Sequence, residues 1–249
     1  MIAAARLDAA LAATWPAAAT RGCGPFTLRA GPGGKRVSAA TLEADGVDPV
    51  ALDAAIAAMR AAGRVPLFRV RAPQSGLDTA LADRGFARRD ETVLYAAPAA
   101  PLAARTVPPV TAFDIWPPLA VQRRLWAEGG IGADRIAVME RACAPKTALL
   151  GRLDDRPAGT GFAAVADGIA MVHALEVSAA LRRRGLAAHM MAHAARWADR
   201  HGAEWVAVAV TRANGAARGL YTHLGMSEVG RYWYRMADPA APGTGGATR

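Results

Sequence analysis

The residues best suited to chemistry lie in the stretch from Val172 to Met226. An apolar segment ends at Val177, and the run Leu181-Arg-Arg-Arg-Gly-Leu-Ala187 follows it before a long helical pattern begins. Amide groups at a helix N-terminus are unpaired donors that carry about half a positive charge. Glycine lets a ligand approach the backbone, and guanidinium groups match phosphate oxygens. The run therefore predicts a pyrophosphate-binding turn with side chains from Arg182, Arg183 and Arg184.

A second motif follows after one further strand. Trp205-Val-Ala-Val-Ala-Val210 reads as an apolar strand, and the next run is Asn214-x-x-Ala217-x-x-Leu220-Tyr221-x-x-x-Gly225-Met226. Together with Arg182-x-x-Gly185-x-Ala187, this run resembles the acetyl-CoA signatures of the GNAT superfamily of N-acetyltransferases. One signature alone arises easily by chance in a chain rich in alanine and arginine. Two signatures in the order that the family has, separated by one helix and one strand, favour membership of the family.

The resemblance implies a reaction. An acetyl group would pass from acetyl-CoA, the cosubstrate, to a primary amine by direct attack, without a covalent enzyme intermediate. The backbone of Leu175 to Val177 would pair with the pantetheine arm and supply an oxyanion donor. The cofactor contacts implied in this way are Leu175, Val177, Arg182, Arg183, Arg184, Gly185, Leu186, Ala187 and Asn214. The alternative function is a non-catalytic acyl-CoA-binding or regulatory protein of the same family.

Acetyl transfer to an amine needs a proton acceptor for the amine and a proton donor for the departing thiolate. Tyr221 matches the family's usual general acid. Glu176 is the acid on the strand that enters the anion turn, and it is the predicted base. His173 is an alternative that lies on the opposite face if the strand is regular, and transfer through water is another. The identity of the base stays open at this point.

The acceptor side carries fewer signals. The region around Trp126 and Gly130 corresponds to the helix-loop-helix that borders the acceptor pocket in the family, so both are predicted substrate contacts. The acceptor is expected to be a small-molecule or peptide amine. His189 and His193 are spaced i, i+4, but Met190 stands where a zinc-binding HExxH motif has glutamate. No metal is expected.

The chain also contains an internal repeat. A helix, a glycine and a strand recur at Gly63 and at Gly202, an offset of 139 residues, and a helix-Gly-strand run recurs at Gly85 and at Gly225, an offset of 140. Repeated offsets of this kind indicate duplicated units. The first copy lacks the arginine run and carries leucine where the second has Tyr221, so it is predicted to be degenerate.

The predicted fold class is α/β (α+β), with two GNAT-like lobes that are each a mixed, mostly antiparallel sheet flanked by helices. The predicted divisions are a degenerate lobe over 1–98, a proline- and alanine-rich linker over 99–110, a catalytic lobe over 111–239 and a disordered tail over 240–249. Within them, 36–42 is predicted to be a strand and 114–126 a helix.

Composition excludes several other classes of protein. The chain has 249 residues, of which 53% are hydrophobic, and a net charge of +9. This charge favours an anionic ligand, but the arginines are not interleaved with aromatics, so nucleic-acid binding is not expected. No apolar window reaches the roughly 18 to 20 residues of a membrane span, and Arg6 and Asp8 interrupt the first apolar stretch, which favours a helix over a signal peptide. A cytoplasmic protein without membrane contact is expected, as a monomer or a homodimer.

Overall fold

The computed structural model describes residues 2–238, so the predicted tail at 240–249 lies outside the described residues. The helices are α1 Ala4–Thr14, α2 Pro49–Ala61, α3 Ser75–Asp83, α4 Ala99–Ala103, α5 Ala120–Glu128, α6 Ala133–Arg141, α7 Leu186–Arg200 and α8 Gly215–His223. The strands are β1 Ala19–Cys23, β2 Phe26–Ala30, β3 Thr41–Leu42, β4 Leu67–Arg71, β5 Ala87–Pro98, β6 Ala112–Ile115, β7 Lys146–Leu153, β8 Arg156–Ala166, β9 Ile169–Val177, β10 Trp205–Thr211 and β11 Ser227–Met236. None of the helices between residues 2 and 238 is long and apolar enough to cross a membrane.

The strands form two sheets that are flanked by helices and are mostly antiparallel, which confirms the predicted fold class. β1, β2 and β3 form a small sheet, and the other strands form one sheet of eight in the order β4-β11-β5-β10-β9-β8-β7-β6. In the large sheet β9 and β10 run parallel, and the other neighbours are antiparallel. A bridge between Ala40 and Phe68 joins the small sheet to β4. Strands from both halves of the chain therefore share one sheet.

Two β-α-β units in the large sheet exchange their last strands. The units are β4-α3-β5 and β10-α8-β11, and α3 and α8 are each 9 residues long. β5 lies between β10 and β11, whereas β11 lies between β5 and β4. The exchange is reciprocal, because Ala72 N donates to Arg231 O at 3.0 Å and Arg212 N donates to Glu91 O at 2.7 Å. The repeat in the sequence thus corresponds to a pair of interlocked units.

Three local predictions need correction. Residues 114–126 are not one helix, because Ala112–Ile115 pairs antiparallel with β7 as β6 and the helix begins only at Ala120. The strand predicted over 36–42 is a 3-10 turn at Lys35–Val37 followed by the short β3. Part of the predicted linker is α4, whose Ala99 and Leu102 are buried in one cluster with α7. The division of the chain into lobes at 99–110 stays a prediction.

The large sheet is covered on both faces. α7 lies on one face, where a Cβ on Gly151 or Gly159 would come within 2.5 Å or 2.8 Å of the Met190 sulfur, so these glycines permit its close approach. α1 and α5 lie on the opposite face, where Trp15 and Trp126 share a buried cluster. Helices therefore pack on both faces of the sheet near the candidate site residues.

We expect the C-terminal half to depend on the N-terminal half for folding. Residues 107–249 expressed alone lack β5, so the facing edges of β10 and β11 are left unpaired, and unpaired edges promote aggregation. Size-exclusion chromatography and circular dichroism should detect aggregated or poorly folded material, with recovery when residues 1–106 are co-expressed. A monodisperse, folded 107–249 fragment would contradict this expectation.

Candidate active site

The strand that leads into the anion turn contains a β-bulge. His173 pairs with Phe162 and Glu176 pairs with Thr160, so two residues of β9 lie opposite one residue of β8. Ala174 adopts a φ of +50°, which is uncommon for a residue with a Cβ. The Trp126 indole N–H donates to Ala174 O at 2.9 Å and stabilises this conformation.

The bulge brings His173 and Glu176 to the same face of the sheet. The His173 ring packs on Trp15 with centroids 4.9 Å apart. A Cβ on Gly129, which ends α5, would lie 2.6 Å from Glu176 Cγ, so the Glu176 side chain lies against α5. Because α1 and α5 cover the same face, the prediction of opposite faces is wrong for this strand. It assumed a regular alternation that the bulge reverses.

β9 and β10 diverge at the bulge. Their parallel pairing runs from Ile169–Trp205 to Val172–Val208 and then stops. Beyond that point β10 pairs with β5 through Thr211, and the end of β9 pairs with β8. The backbone of residues 174–177 therefore presents one edge to a cleft, where an extended ligand can add its own hydrogen bonds.

The turn after β9 has the shape of an anion-binding nest. Arg183 has a φ of +65° and Gly185 a φ of +83°, on either side of Arg184. Alternating conformations of this kind point successive N–H groups toward one centre. The N–H groups of Leu186 and Ala187, the first residues of α7, have no acceptor among the described residues. The predicted cofactor residues Gly185, Leu186 and Ala187 thus form one donor surface.

The three arginines of the turn have different environments. Arg182 donates from Nε to Val177 O at 3.0 Å and from Nη2 to Glu176 Oε1 at 2.6 Å. Arg184 makes a bidentate pair with Asp154 at 2.7 Å and 3.0 Å. Arg183 has no ion pair within residues 2–238. The structure therefore leaves Arg183 available to an anion, while Arg182 and Arg184 brace the turn.

Tyr221 and Asn214 are placed by α8. Asn214 Oδ1 accepts from Ala217 N at 3.1 Å and caps the helix. Tyr221 is 7% exposed and belongs to the same buried cluster as Val177 and Leu186. Burial raises the pKa of its hydroxyl to about 12. Because an acid of this strength transfers its proton poorly to a thiolate of pKa about 8.5, Tyr221 is suited to donating a hydrogen bond.

His173 is held in a fixed hydrogen-bonded chain. Arg36 Nη1 lies 3.3 Å from its Nδ1, Thr14 Oγ1 lies 2.9 Å from its Nε2, and Thr14 Oγ1 donates to Ala10 O at 2.7 Å. Since a guanidinium only donates, Nδ1 accepts and Nε2 carries the proton. Burial and the charge of Arg36 hold the pKa of His173 well below its ordinary value. A histidine in this state is a poor base at neutral pH, which favours Glu176 or water.

The predicted substrate contacts have different outcomes. Trp126 is 0% exposed and holds the bulge from within the core, so its predicted contact with substrate is corrected to a structural one. Gly130 borders a cavity of about 370 Å³ together with Gly33, Gly34 and Arg135.

A second cavity beside the bulge was missed by the sequence reasoning. It has a volume of about 350 Å³ and is lined by residues that include Lys35, Arg36, Asp90, His173, Tyr232 and Tyr234. The sequence feature closest to this cavity is the run Ala30-Gly-Pro-Gly-Gly-Lys35, which predicts a loop.

One of the two histidines on α7 lies against a carboxylate. His193 Nε2 lies 2.7 Å from Asp114 Oδ1 on β6. Within residues 2–238 no group of three or more His, Cys, Asp or Glu side chains is arranged to hold a metal ion.

We expect His173 to make the fold sensitive to acid. Its folded-state pKa is depressed, so the unfolded chain binds the additional proton as pH falls below about 6.5. As the pH falls below about 6.5, this one group should therefore lower the free energy of unfolding by at most about 1.4 kcal/mol per pH unit. Thermal melting between pH 7 and pH 5 should show a smaller decline in His173→Gln than in the unaltered protein, and the exposed His223→Gln serves as a control. Equal declines in all three proteins would remove His173 as the cause.

Comparison with known proteins agrees with this geometry. Residues 114–226 match the model of the Acetyltransferase (GNAT) family. A GCN5-related N-acetyltransferase from Kribbella flavida has a similar fold, with a TM-score of 0.74 and 23% identity over 96% of this chain and 96% of that chain. A protein of unknown function from Staphylococcus epidermidis aligns with a TM-score of 0.63 and 12% identity over 87% of this chain and 92% of that chain. A tandem GNAT protein from the clavulanic acid biosynthesis pathway aligns with a TM-score of 0.61 and 15% identity over 95% of this chain and 88% of that chain.

No significant match was found among curated protein sequences. At these identities the solved structures support the fold, whereas the family model supports membership directly. The segment of residues 114–226 belongs to the GNAT acetyltransferase family.

Proposed function

We propose that the protein transfers an acetyl group from acetyl-CoA to a primary amine by direct attack. The observation that carries this proposal is the cleft between β9 and β10. The anion nest at Gly185 opens α7 at one end of it, and the bulge at Ala174 marks the point where the two strands diverge. A ligand with a diphosphate and an extended amide-containing arm matches these two features.

Each group along the cleft has a defined task in this proposal. The amides of the nest and the Arg183 guanidinium bind the diphosphate, and the open edge of residues 174–177 binds the pantetheine amides. A backbone N–H within Leu175–Val177 stabilises the oxyanion that forms on the thioester carbonyl. Glu176 accepts the amine proton, directly or through water, and Tyr221 donates a hydrogen bond to the departing sulfur.

We also infer that the two interlocked β-α-β units derive from a tandem arrangement in which the first unit binds no CoA. The segment of the first half that corresponds to the arginine turn falls around residues 41 to 47, Thr-Leu-Glu-Ala-Asp-Gly-Val. Its two carboxylates would repel a diphosphate. The degenerate half contributes β5 and the loop before β3 to the site of the other half.

Calorimetric titration with acetyl-CoA tests the cofactor assignment. Gly185→Glu places a carboxylate in the nest and should weaken binding about 100-fold, the loss expected for two charge-assisted hydrogen bonds of about 1.5 kcal/mol each. The matched control is Gly202→Glu at the other end of α7, where φ is +73° and a Cβ meets nothing within 4 Å, while at Gly185 it meets only an ordinary contact with His189 Nε2 at 3.7 Å. Both variants carry similar backbone strain, so equal binding losses would contradict the nest.

Thiol release across a panel of amines distinguishes transfer from the regulatory alternative, since only an enzyme turns over. With a productive amine, Tyr221→Phe should lower kcat about 10-fold, which corresponds to the loss of one hydrogen bond of about 1.4 kcal/mol in the transition state. The affinity for acetyl-CoA should change much less. Tyr95→Phe is the control, because the Tyr95 hydroxyl accepts from Arg218 Nε at 3.3 Å and its ring lies beside that of Tyr221. An unchanged kcat in Tyr221→Phe would remove this role.

A further inference from the structure

The cavity beside the bulge contains a cationic side chain with an unused donor. Arg36 lines this cavity, and its Nε is buried and makes no hydrogen bond. A buried donor without a partner costs about 1–3 kcal/mol, and more when the group is charged. The donors of a guanidinium are arranged in a planar fork that meets a carboxylate bidentately. An anion in the cavity would also offset the cost of burying the Arg36 charge without a carboxylate partner among residues 2–238.

Arg36 is held in place before any ligand binds. Its Cζ lies 5.9 Å from the centroid of the Trp15 ring, at the outer limit of a cation–π contact. Its Nη1 lies 3.3 Å from His173 Nδ1. A side chain that is already ordered loses little conformational entropy when it binds a ligand.

The charges that line this cavity do not cancel. Lys35 Nζ is paired with Asp90 Oδ2 at 2.5 Å, so these two groups neutralise each other. Arg135 on α6 also lines the cavity and has no ion pair within residues 2–238. Arg36 likewise has no carboxylate partner in that part of the chain. The guanidinium groups of Arg36 and Arg135 therefore leave an uncompensated positive charge along the cavity lining.

The cavity adjoins the place where the proposed chemistry occurs. Its lining includes Ala174, the bulged residue, and Thr211, which ends β10. These two residues lie where the strands diverge. The volume of about 350 Å³ is at the lower end of the range for small-molecule sites. An acceptor that fills it is small and has its amine within a few bonds of its anionic group.

We infer that the acceptor is a small amine that carries a carboxylate, as amino acids do, and that Arg36 and Arg135 bind the carboxylate. The inference rests on the proposed function for the reaction of the amine, but the binding of the carboxylate is independent of turnover. It makes the loop of the N-terminal half, with Arg36, a specificity determinant for the C-terminal half.

Matched acceptors test the inference by thiol release. Each amino acid is compared with its amide and its aminophosphonate, for example glycine, glycinamide and aminomethylphosphonate, and the series is repeated for larger side chains. We expect kcat/KM for at least one amino acid to exceed that of its amide about 10-fold or more, as for one charge-assisted hydrogen bond. A preference for the amide overturns the inference, and a preference for the phosphonate overturns the choice of carboxylate.

Variants of the two arginines test whether these residues cause the preference for the amino acid over its amide. Arg36→Gln and Arg135→Gln should each reduce the ratio of amino acid to amide toward one, mainly through KM, and Arg36→Lys should restore part of it. Arg60→Gln removes the same charge from the exposed surface of α2 and should leave the ratio unchanged. Because Arg135 is exposed, its variant keeps the test valid if Arg36→Gln fails to fold by circular dichroism. An unchanged ratio in folded Arg36→Gln and Arg135→Gln would overturn the assignment.

Binding separates failure of this inference from failure of the proposed function. If acetyl-CoA binds but no amine turns over, the amino acid and its amide are titrated into the CoA-bound protein by calorimetry. Tighter binding of the amino acid, lost in Arg135→Gln, supports the inference even though transfer has failed. Turnover with equal affinity for both acceptors overturns the inference and leaves the proposed function intact.

Discussion

The pairing of β10 with β5 is the interaction on which the cleft depends. Two parallel neighbours in a sheet normally stay paired, because separated strands leave buried backbone groups without partners. Here β10 continues to Thr211 on the edge of β5, and β9 continues to Val177 on the edge of β8. Each strand is therefore satisfied on the side away from its former neighbour, and the bulge at Ala174, stabilised by Trp126, sets where they separate. The N-terminal half thus helps to form the cleft proposed for the cofactor, although it lacks the anion turn.

Helix α1 adds a second connection between the halves. Near its start, Asp8 accepts from Arg69 at 2.7 Å and from Arg71 at 3.1 Å, which ties the helix to β4. Arg69 is only 4% exposed, and removing one partner of a buried ion pair typically costs about 3–5 kcal/mol. At its end, Thr14 hydrogen-bonds His173 on β9. The same helix therefore connects the outer strand of the large sheet to the bulge, and the neutral state of His173 depends on this packing.

The turn proposed for the cofactor has a local signature in the sequence, whereas most of the cavity proposed for the acceptor has none. The nest uses contiguous residues, and a glycine with positive φ before a helix leaves a local signature at Gly185. The bulge leaves no such signature, because the residues from Ile169 to Val177 other than His173 and Glu176 are apolar on both sides of the strand and hide the reversal of faces. Arg36 and Tyr232 are far apart in sequence, and the exchange of strands in the large sheet brings them to the same cavity. The prediction of a helix over 114–126 was wrong for a related reason, because the pairing of β6 with β7 overrides the helical pattern of the local sequence.

The two sides of the site also differ in the kind of group that binds, and this has a structural consequence. The proposed cofactor side relies on backbone amides, which every residue except proline provides alike. The cavity relies on specific side chains from a loop and from α6. That loop is seated on α6 at Gly33, where φ is +115° and a Cβ would lie 2.6 Å from Val138 Cγ2. Since α6 also carries Arg135, the close contact at Gly33 sets the spacing of the backbone segments that carry Arg36 and Arg135. A shift of the loop would therefore alter the spacing of the two guanidinium groups while leaving the nest and the cleft as they are.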